Sequence, residues 1–393
     1  MFSLRALGLV AALAVAVVSQ PVLAQAIVEK RTFDIATHTT RNGASLTGVK
    51  VGWQSMGTLN ADRSNAILVP HFFSANSHFA GRYAATDAAP GYWDMLIGPG
   101  KAIDTDRYFV FSVDSLVNLN TGDGRTVTTG PASIDPKTGK PYGNTFPVVS
   151  IRDFVEVQKA LVDSLGIRRL HAVVGASMGA LQTLEWAVAY PDMVARAVPV
   201  IGTGAMDDFT RAWLNLWAAP ILVDPNWKDG SYHGGPVPER GLTEALKLVT
   251  LHARAAPWAN MIGANKPAQG QDPAKALAQK FQIEAILDGA GAARGKISDA
   301  AHFVYLVRAN QLFLSEYDSI ETAYARATAR FLILPAASDI LFPPAMSKAL
   351  ADLLQRQGRT VEYAEIPGTG GHIDGITAPV LQVADRIKAF IDR

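Results

Sequence analysis

The stretch "HAVVGASMGALQTLEWA", residues 171–187, changes period at its centre. Ala172 to Val174 is an unbroken apolar run, the pattern of a short buried strand. From Met178 onward Leu181, Leu184 and Ala187 recur every three residues, the spacing of a helix with one apolar face. Between them stand Gly175, Ala176 and Ser177, with Gly179 following. A strand that turns straight into a helix brings the two backbones close together, which is why small residues are required at 175, 176 and 179. At the tip of such a nucleophile elbow the serine hydroxyl stands at a helix N-terminus. Unpaired N–H groups and the helix dipole favour an oxyanion there. Ser177 is therefore a candidate nucleophile rather than a packing residue of a Gly-rich turn.

The same alternation extends outward. "RTFDIATHTT" and "LTGVKVGWQSMG" read as paired strands joined at Arg41-Asn42-Gly43. "NAILVPHFF" and "YFVFSVD" are short buried strands. Residues 115–146 are a Gly/Thr/Pro-rich loop. "SIRDFVEVQKALVDSLGI" is a helix with Ser150 at its start and Gly166 at its end. "RAVPVIG" is a further strand. From about Met206 to Ala325 strand signals give way to helical segments: "DDFTRAWLNLWAAPIL", "GLTEALKLVTLHARAAPWANMIG", "DPAKALAQKFQIEAIL" and "DAAHFVYLVRANQLFLSEY". The alternation then resumes with "RFLILPAA", "PAMSKALADLLQRQ", "TVEYAEI" and "PVLQVADRIKAFID". The expected architecture is α/β, with a mostly parallel central sheet and a helical insertion. Its units are 27–205 (core, first part), 206–325 (helical lid) and 326–393 (core, second part).

Composition narrows the function. The chain has 393 residues, 49% hydrophobic and 18% charged, with a formal net charge of +1. That charge gives no reason to expect nucleic acid as a partner. Residues 1–26 read as a secretory signal peptide: Arg5, then an apolar run from Ala6 to Val18 that is short for a bilayer, then small residues suited to cleavage after Ala24 or Ala26. A periplasmic or secreted protein, free of the membrane after cleavage, is the expectation. The absence of cysteine excludes thiol catalysis and thiolate-bound metal. The histidine spacing offers no metal motif, and neither metal nor other cofactor is expected.

A serine nucleophile needs a base, and the base an acid to orient it. When the nucleophile sits on an elbow, these follow later in the chain, at the ends of later strands. Asp339 directly follows "FLILPAAS". His372 follows "VEYAEI" across the flexible "PGTGG" loop. Asp374 is the competing acid. For the oxyanion, Met178 N–H is one donor, and the loop "PHFFSANSHF" offers Phe73 N–H as the second. His71 and His78 in that loop are read as polar support. His252 and His302 are read as satisfied core residues.

With these residues placed, the chain from about Phe33 onward resembles the homoserine O-acetyltransferase family of α/β-hydrolases. The resemblance rests on "LIGPGKAIDTDRYFV", "TTGPASIDPKTGKPYG", "FPVVSIRDFVEVQKALVDSLGI", "GASMGALQTLEWAVAYPD", "VDPNW" and "SDILFPP". It implies Ser177 as nucleophile, Asp339 as acid, His372 as base, Phe73 and Met178 at the oxyanion, and a helical lid that also serves as a dimerisation surface. Members acting on homoserine carry a carboxylate-binding arginine in the lid and an aspartate after the catalytic histidine. Here Ala218 and Ile373 occupy those places. Arg211, with Trp213 and Trp217, is left as the candidate substrate-binding set. Acetyl-CoA is a cytoplasmic metabolite, so an exported member would use water instead. The expected activity is thus hydrolysis of a small carboxylic ester through an acyl-enzyme. The alternatives are acyl transfer from CoA to an alcohol, and a binding protein on a hydrolase scaffold.

Overall fold

A computed structural model describes residues 26–393. The signal-peptide reading of residues 1–26 falls almost wholly outside them. Eight strands form one sheet: β1 (Arg31–Thr39), β2 (Ser45–Met56), β3 (Ala66–Leu68), β4 (Phe109–Val113), β5 (Ala172–Ala176), β6 (Arg196–Val200), β7 (Arg330–Ile333) and β8 (Val361–Tyr363). Their order across the sheet is β1-β2-β4-β3-β5-β6-β7-β8. β2 runs antiparallel to both its neighbours, with Arg31 opposite Trp53 and Trp53 opposite Val113. The remaining pairs are parallel. The β1–β2 hairpin turns at Gly43, whose φ of 87° suits glycine.

Both faces of the sheet are covered, so its central strands carry no polar face. Along β5 all the residues are buried. Val173 joins the core beneath α1 (Ile151–Ser164) and α2 (Met178–Ala189). Ala172, Val174 and Ala176 face the opposite side, where Ile387, Phe390 and Ile391 of the C-terminal helix close the layer. At the start of α1 the Ser150 N–H donates to the Asp153 carboxylate at 2.7 Å, satisfying a donor that the helix leaves open.

Between β6 and β7 the chain is helical: α3 (Asp208–Leu222), α4 (Glu239–His252), α5 (Ala256–Gly263), α6 (Gln282–Gly295), α7 (Ala300–Gln311) and α8 (Ile320–Ala325). Two expectations change here. The segment 241–263 is two helices rather than one, because Pro257 enters the first turn of α5. A proline within a continuing helix would lose an N–H bond and strike the carbonyl four residues back. The segment 272–287 is helical only from Gln282. Before that, its apolar residues find no core, and Leu277 is fully exposed. Among the described residues no helix is long and apolar enough to cross a membrane.

Candidate active site

Ser177 is the only residue from Ala172 through Val188 that is not fully buried. Its backbone, at φ 56° and ψ −119°, is in a region that L-residues rarely adopt. Packing holds it there. A Cβ on Gly175 would lie 2.3 Å from the Gly179 carbonyl oxygen, and one on Gly179 would lie 2.2 Å from that of Pro70. The Ser177 N–H donates to Val200 O of the adjacent strand at 2.9 Å. A side chain at either position would therefore force the strand, the helix or the loop at Pro70 to shift.

The three residues picked out at separate points of the sequence meet. The Ser177 hydroxyl lies 2.7 Å from His372 Nε2, and His372 Nδ1 lies 2.7 Å from Asp339 Oδ2. Asp339 accepts only, so Nδ1 carries the proton and Nε2 receives the serine O–H. The other Asp339 oxygen accepts from Leu341 N–H at 2.8 Å and Phe342 N–H at 3.1 Å. Those bonds fix the carboxylate, and the Phe342 ring packs edge-on to the imidazole at 5.5 Å. Asp374 does not join this relay. It turns back into the histidine loop, accepting from Gly370 N–H at 3.0 Å.

The oxyanion side is built by buried polar groups. Among the described residues neither Phe73 N–H nor Met178 N–H meets an acceptor. Phe73 lines the cavity above Ser177, with Met178 directly beside the serine. His71 Nδ1–H donates to Phe72 O at 2.8 Å, and its Nε2 accepts from Ser115 N–H at 3.0 Å and Asn118 Nδ2 at 3.2 Å. Complete burial pushes this imidazole's pKa down, which keeps it neutral. Gln182 Nε2 donates to His71 O at 3.1 Å, and Asn118 Nδ2 to Ala75 O at 3.0 Å. His302 extends the support: its Nδ1 donates to Asn118 O at 2.7 Å. His78 Nδ1 bonds Gln54 Oε1 at 2.9 Å.

The cavity over Ser177 measures about 360 Å³. Phe72, Phe73, Ile201, Trp217, Val249, Leu341, Ile373 and Ile376 make its walls largely apolar. Of the three residues expected to meet substrate, only Trp217 lines it, packing edge-on to Phe73 at 5.6 Å. Arg211 lies outside. It shares a helical stripe with Ala218 but precedes it by two turns, about 10 Å along the axis. There it pairs with Asp208 at 3.1 Å and bonds Gln311 O at 3.4 Å, with its side chain 44% exposed. Trp213 is also outside, packed between Phe209 and His252.

Two cavity residues escape a reading of the sequence: Arg254 and Arg294. Arg254 occupies the break between α4 and α5. That break docks on the histidine loop, with Ala255 N–H donating to Gly370 O at 3.2 Å and Ile373 N–H to Ala253 O at 3.3 Å. Pro257 was the available signal, since a helix that must end there turns its last residues toward whatever lies beneath. Arg294, in the last turn of α6, carries no such mark.

Sheet order, elbow and hydrogen-bonded Ser–His–Asp relay define the protein as an α/β-hydrolase, and residues 89–379 match the alpha/beta hydrolase fold family. The chain belongs, within it, to the homoserine O-acetyltransferase family. It is 39% identical over 367 residues to homoserine O-acetyltransferase of Methanosphaerula palustris, covering 92% of this chain and 72% of that one. Over 376 residues it is 36% identical to the same enzyme of Solidesulfovibrio magneticus, covering 93% of each. Among solved structures it is similar to esterase E22 (TM-score 0.90, 45% identity, covering 93% of this chain and 100% of that one). It is also similar to homoserine O-acetyltransferase from Bacillus anthracis (TM-score 0.89, 35% identity, covering 94% and 98%).

Proposed function

We propose that this protein is an exported serine esterase. The Ser177 hydroxyl passes its proton to His372 Nε2 as its oxygen attacks the ester carbonyl. The carbonyl oxygen gains charge and takes hydrogen bonds from Phe73 and Met178 N–H. His372 then gives its proton to the departing alkoxide, which leaves as the alcohol. A water, deprotonated by His372, attacks the acyl-serine, and the acid is released with Ser177 restored. Asp339 holds the imidazole tautomer throughout and stabilises the imidazolium.

The observation that carries water over an amino-acid acceptor is the cavity's charge. Its lining includes two arginines and no aspartate or glutamate. Ile373 follows the histidine into the wall, and Ala218 is buried where the family's carboxylate-binding arginine is expected. The ammonium of homoserine would be desolvated there with no anion to meet it. Export rests on the apolar run at residues 6–18 and on the absence of acetyl-CoA outside the cytoplasm. The similarity to an esterase agrees with this reading, and the similarity to acetyltransferases supplies the alternative.

The deciding experiment supplies acetyl-CoA and homoserine together and follows free acetate and O-acetylhomoserine, beside p-nitrophenyl acetate hydrolysis. Hydrolysis of the aryl ester with little O-acetylhomoserine is expected. O-Acetylhomoserine outpacing acetate would assign the protein to acyl transfer. Fractionation of cells producing the full chain tests export: recovery of the protein solely in the cytoplasm would remove that part of the proposal.

A further inference from the structure

Two guanidiniums stand in the cavity wall without a carboxylate. Arg294 Nη1 donates to Thr250 Oγ1 at 2.9 Å and, at 3.5 Å, to Leu246 O, both neutral. Its Nη2 is buried with no acceptor. Arg254 lies over the Trp258 ring, 4.6 Å from its centroid, and among the described residues makes no ion pair. The acid whose field it feels, Asp374, is engaged with Gly370 N–H in its own loop and with Ser338 Oγ of the loop after β7. Burial lowers the pKa of both arginines, yet guanidinium stays charged in proteins. A desolvated cation without a counter-charge is costly; Arg152, elsewhere in this fold, meets Glu185 at 2.6 Å. At the cavity an anionic ligand would supply that partner.

We propose that the esterase pocket is built for an anionic ester, a half-ester of a dicarboxylic acid. Its free carboxylate sits against Arg254 and Arg294 while its ester carbonyl faces Ser177. The apolar walls hold the methylene chain between the two ends. An arginine fork matches a carboxylate geometrically, and the low-dielectric site strengthens the pair. The proposal rests on the ester-cleaving reading of Ser177 and adds its substrate class. The same anion chemistry could instead belong to the phosphates of CoA.

Calorimetry on the Ser177→Ala protein separates these, because it needs no turnover. The probes are monomethyl and dimethyl esters of glutaric, adipic and suberic acids, and CoA. The half-ester of best length is expected to bind at least tenfold tighter than its diester. Arg294→Met and Arg254→Met, each added to Ser177→Ala, are expected to remove that margin, a loss of about ten- to a hundredfold. Arg254→Met, on a partly exposed turn, serves should Arg294→Met fail to fold. Equal affinity for half-ester and diester overturns the proposal. So does CoA binding that falls in the arginine variants while the half-ester shows no advantage. Turnover of the same esters by the unsubstituted protein is the separate check on activity. A half-ester that binds tightly but is never cleaved would leave the anion site standing and remove the hydrolase reading. Cleavage of both esters at equal kcat/KM would do the reverse.

Discussion

The Nε2 atom of His372 stands 2.7 Å from the Ser177 hydroxyl, although the two residues are 195 positions apart in the chain. The serine is strained into the cavity and the imidazole is buried against it. Ser177→Ala is expected to lower kcat for p-nitrophenyl acetate by about 10⁴-fold or more, and His372→Ala by a similar factor. The double variant should be little worse than either single one, because the two act as a unit. Initial rates beside thermal melts check this. Multiplying losses in the double variant would mean the residues work independently.

The two acids near His372 should separate cleanly. Asp339→Asn removes the carboxylate that sets the imidazole tautomer, so kcat should fall by about 10³–10⁴-fold with KM and melting temperature near those of the parent. Asp374→Ala removes the acceptor of the Gly370 N–H instead. Its expected effect is a lower melting temperature with a smaller loss of kcat. The opposite pattern would make Asp374 the orienting acid.

Much of this site was legible because its signals are local. Gly175, Ser177 and Gly179 follow a buried run and open a helix, and the close backbones found there require those glycines. Asp339 and His372 were reachable from strand order alone. The substrate-facing residues were not. Whether Arg211 or Arg294 reaches the cavity depends on how far each lid helix slides and rotates over the sheet, and periodicity records neither quantity. It marked the segment of α3 as helical, yet left open that Ala218 enters the core while Arg211, on the same stripe, stays partly in solvent. The helical reading of 272–281 failed for a related reason. Spacing suggests an apolar face, but nothing lies there to cover it.

Glycines at two places in the fold should respond in opposite directions. A methyl at Gly179 would press on Pro70 O at 2.2 Å and His71 O at 3.2 Å, displacing the loop that carries Phe73 N–H. Gly179→Ala should destabilise by about 1–3 kcal/mol and lower kcat by about 10²-fold through loss of an oxyanion donor. Gly289, inside α6, has nothing within 4 Å of the same atom. Gly289→Ala should stabilise by about 0.5–1 kcal/mol and leave kcat/KM unchanged. Urea melts and steady-state rates read both. An active, fully stable Gly179→Ala protein would show that the loop does not bear on the elbow.

Acid should destabilise the protein below pH 6.5, and His252 offers a way to see why. Its Nδ1 accepts from Trp217 Nε1–H at 3.2 Å, so it is neutral in the fold. Burial first, and then the nearby His372, bring its pKa down to about 4; burial does the same for His78. An unfolded chain takes up these protons near pH 6.5, before the folded one does. The resulting stability is therefore complete above pH 6.5 and is lost as pH falls toward 4. Both rings are partly exposed, so solvent screening reduces each contribution to about 1–2 kcal/mol. His252→Gln keeps an acceptor for Trp217 and removes the titrating group. Urea melts at pH 7.5, 5.5 and 4.5 should show a shallower acid slope in that variant, with the two proteins diverging only below pH 6.5. Parallel slopes through that window would place the acid sensitivity in other groups.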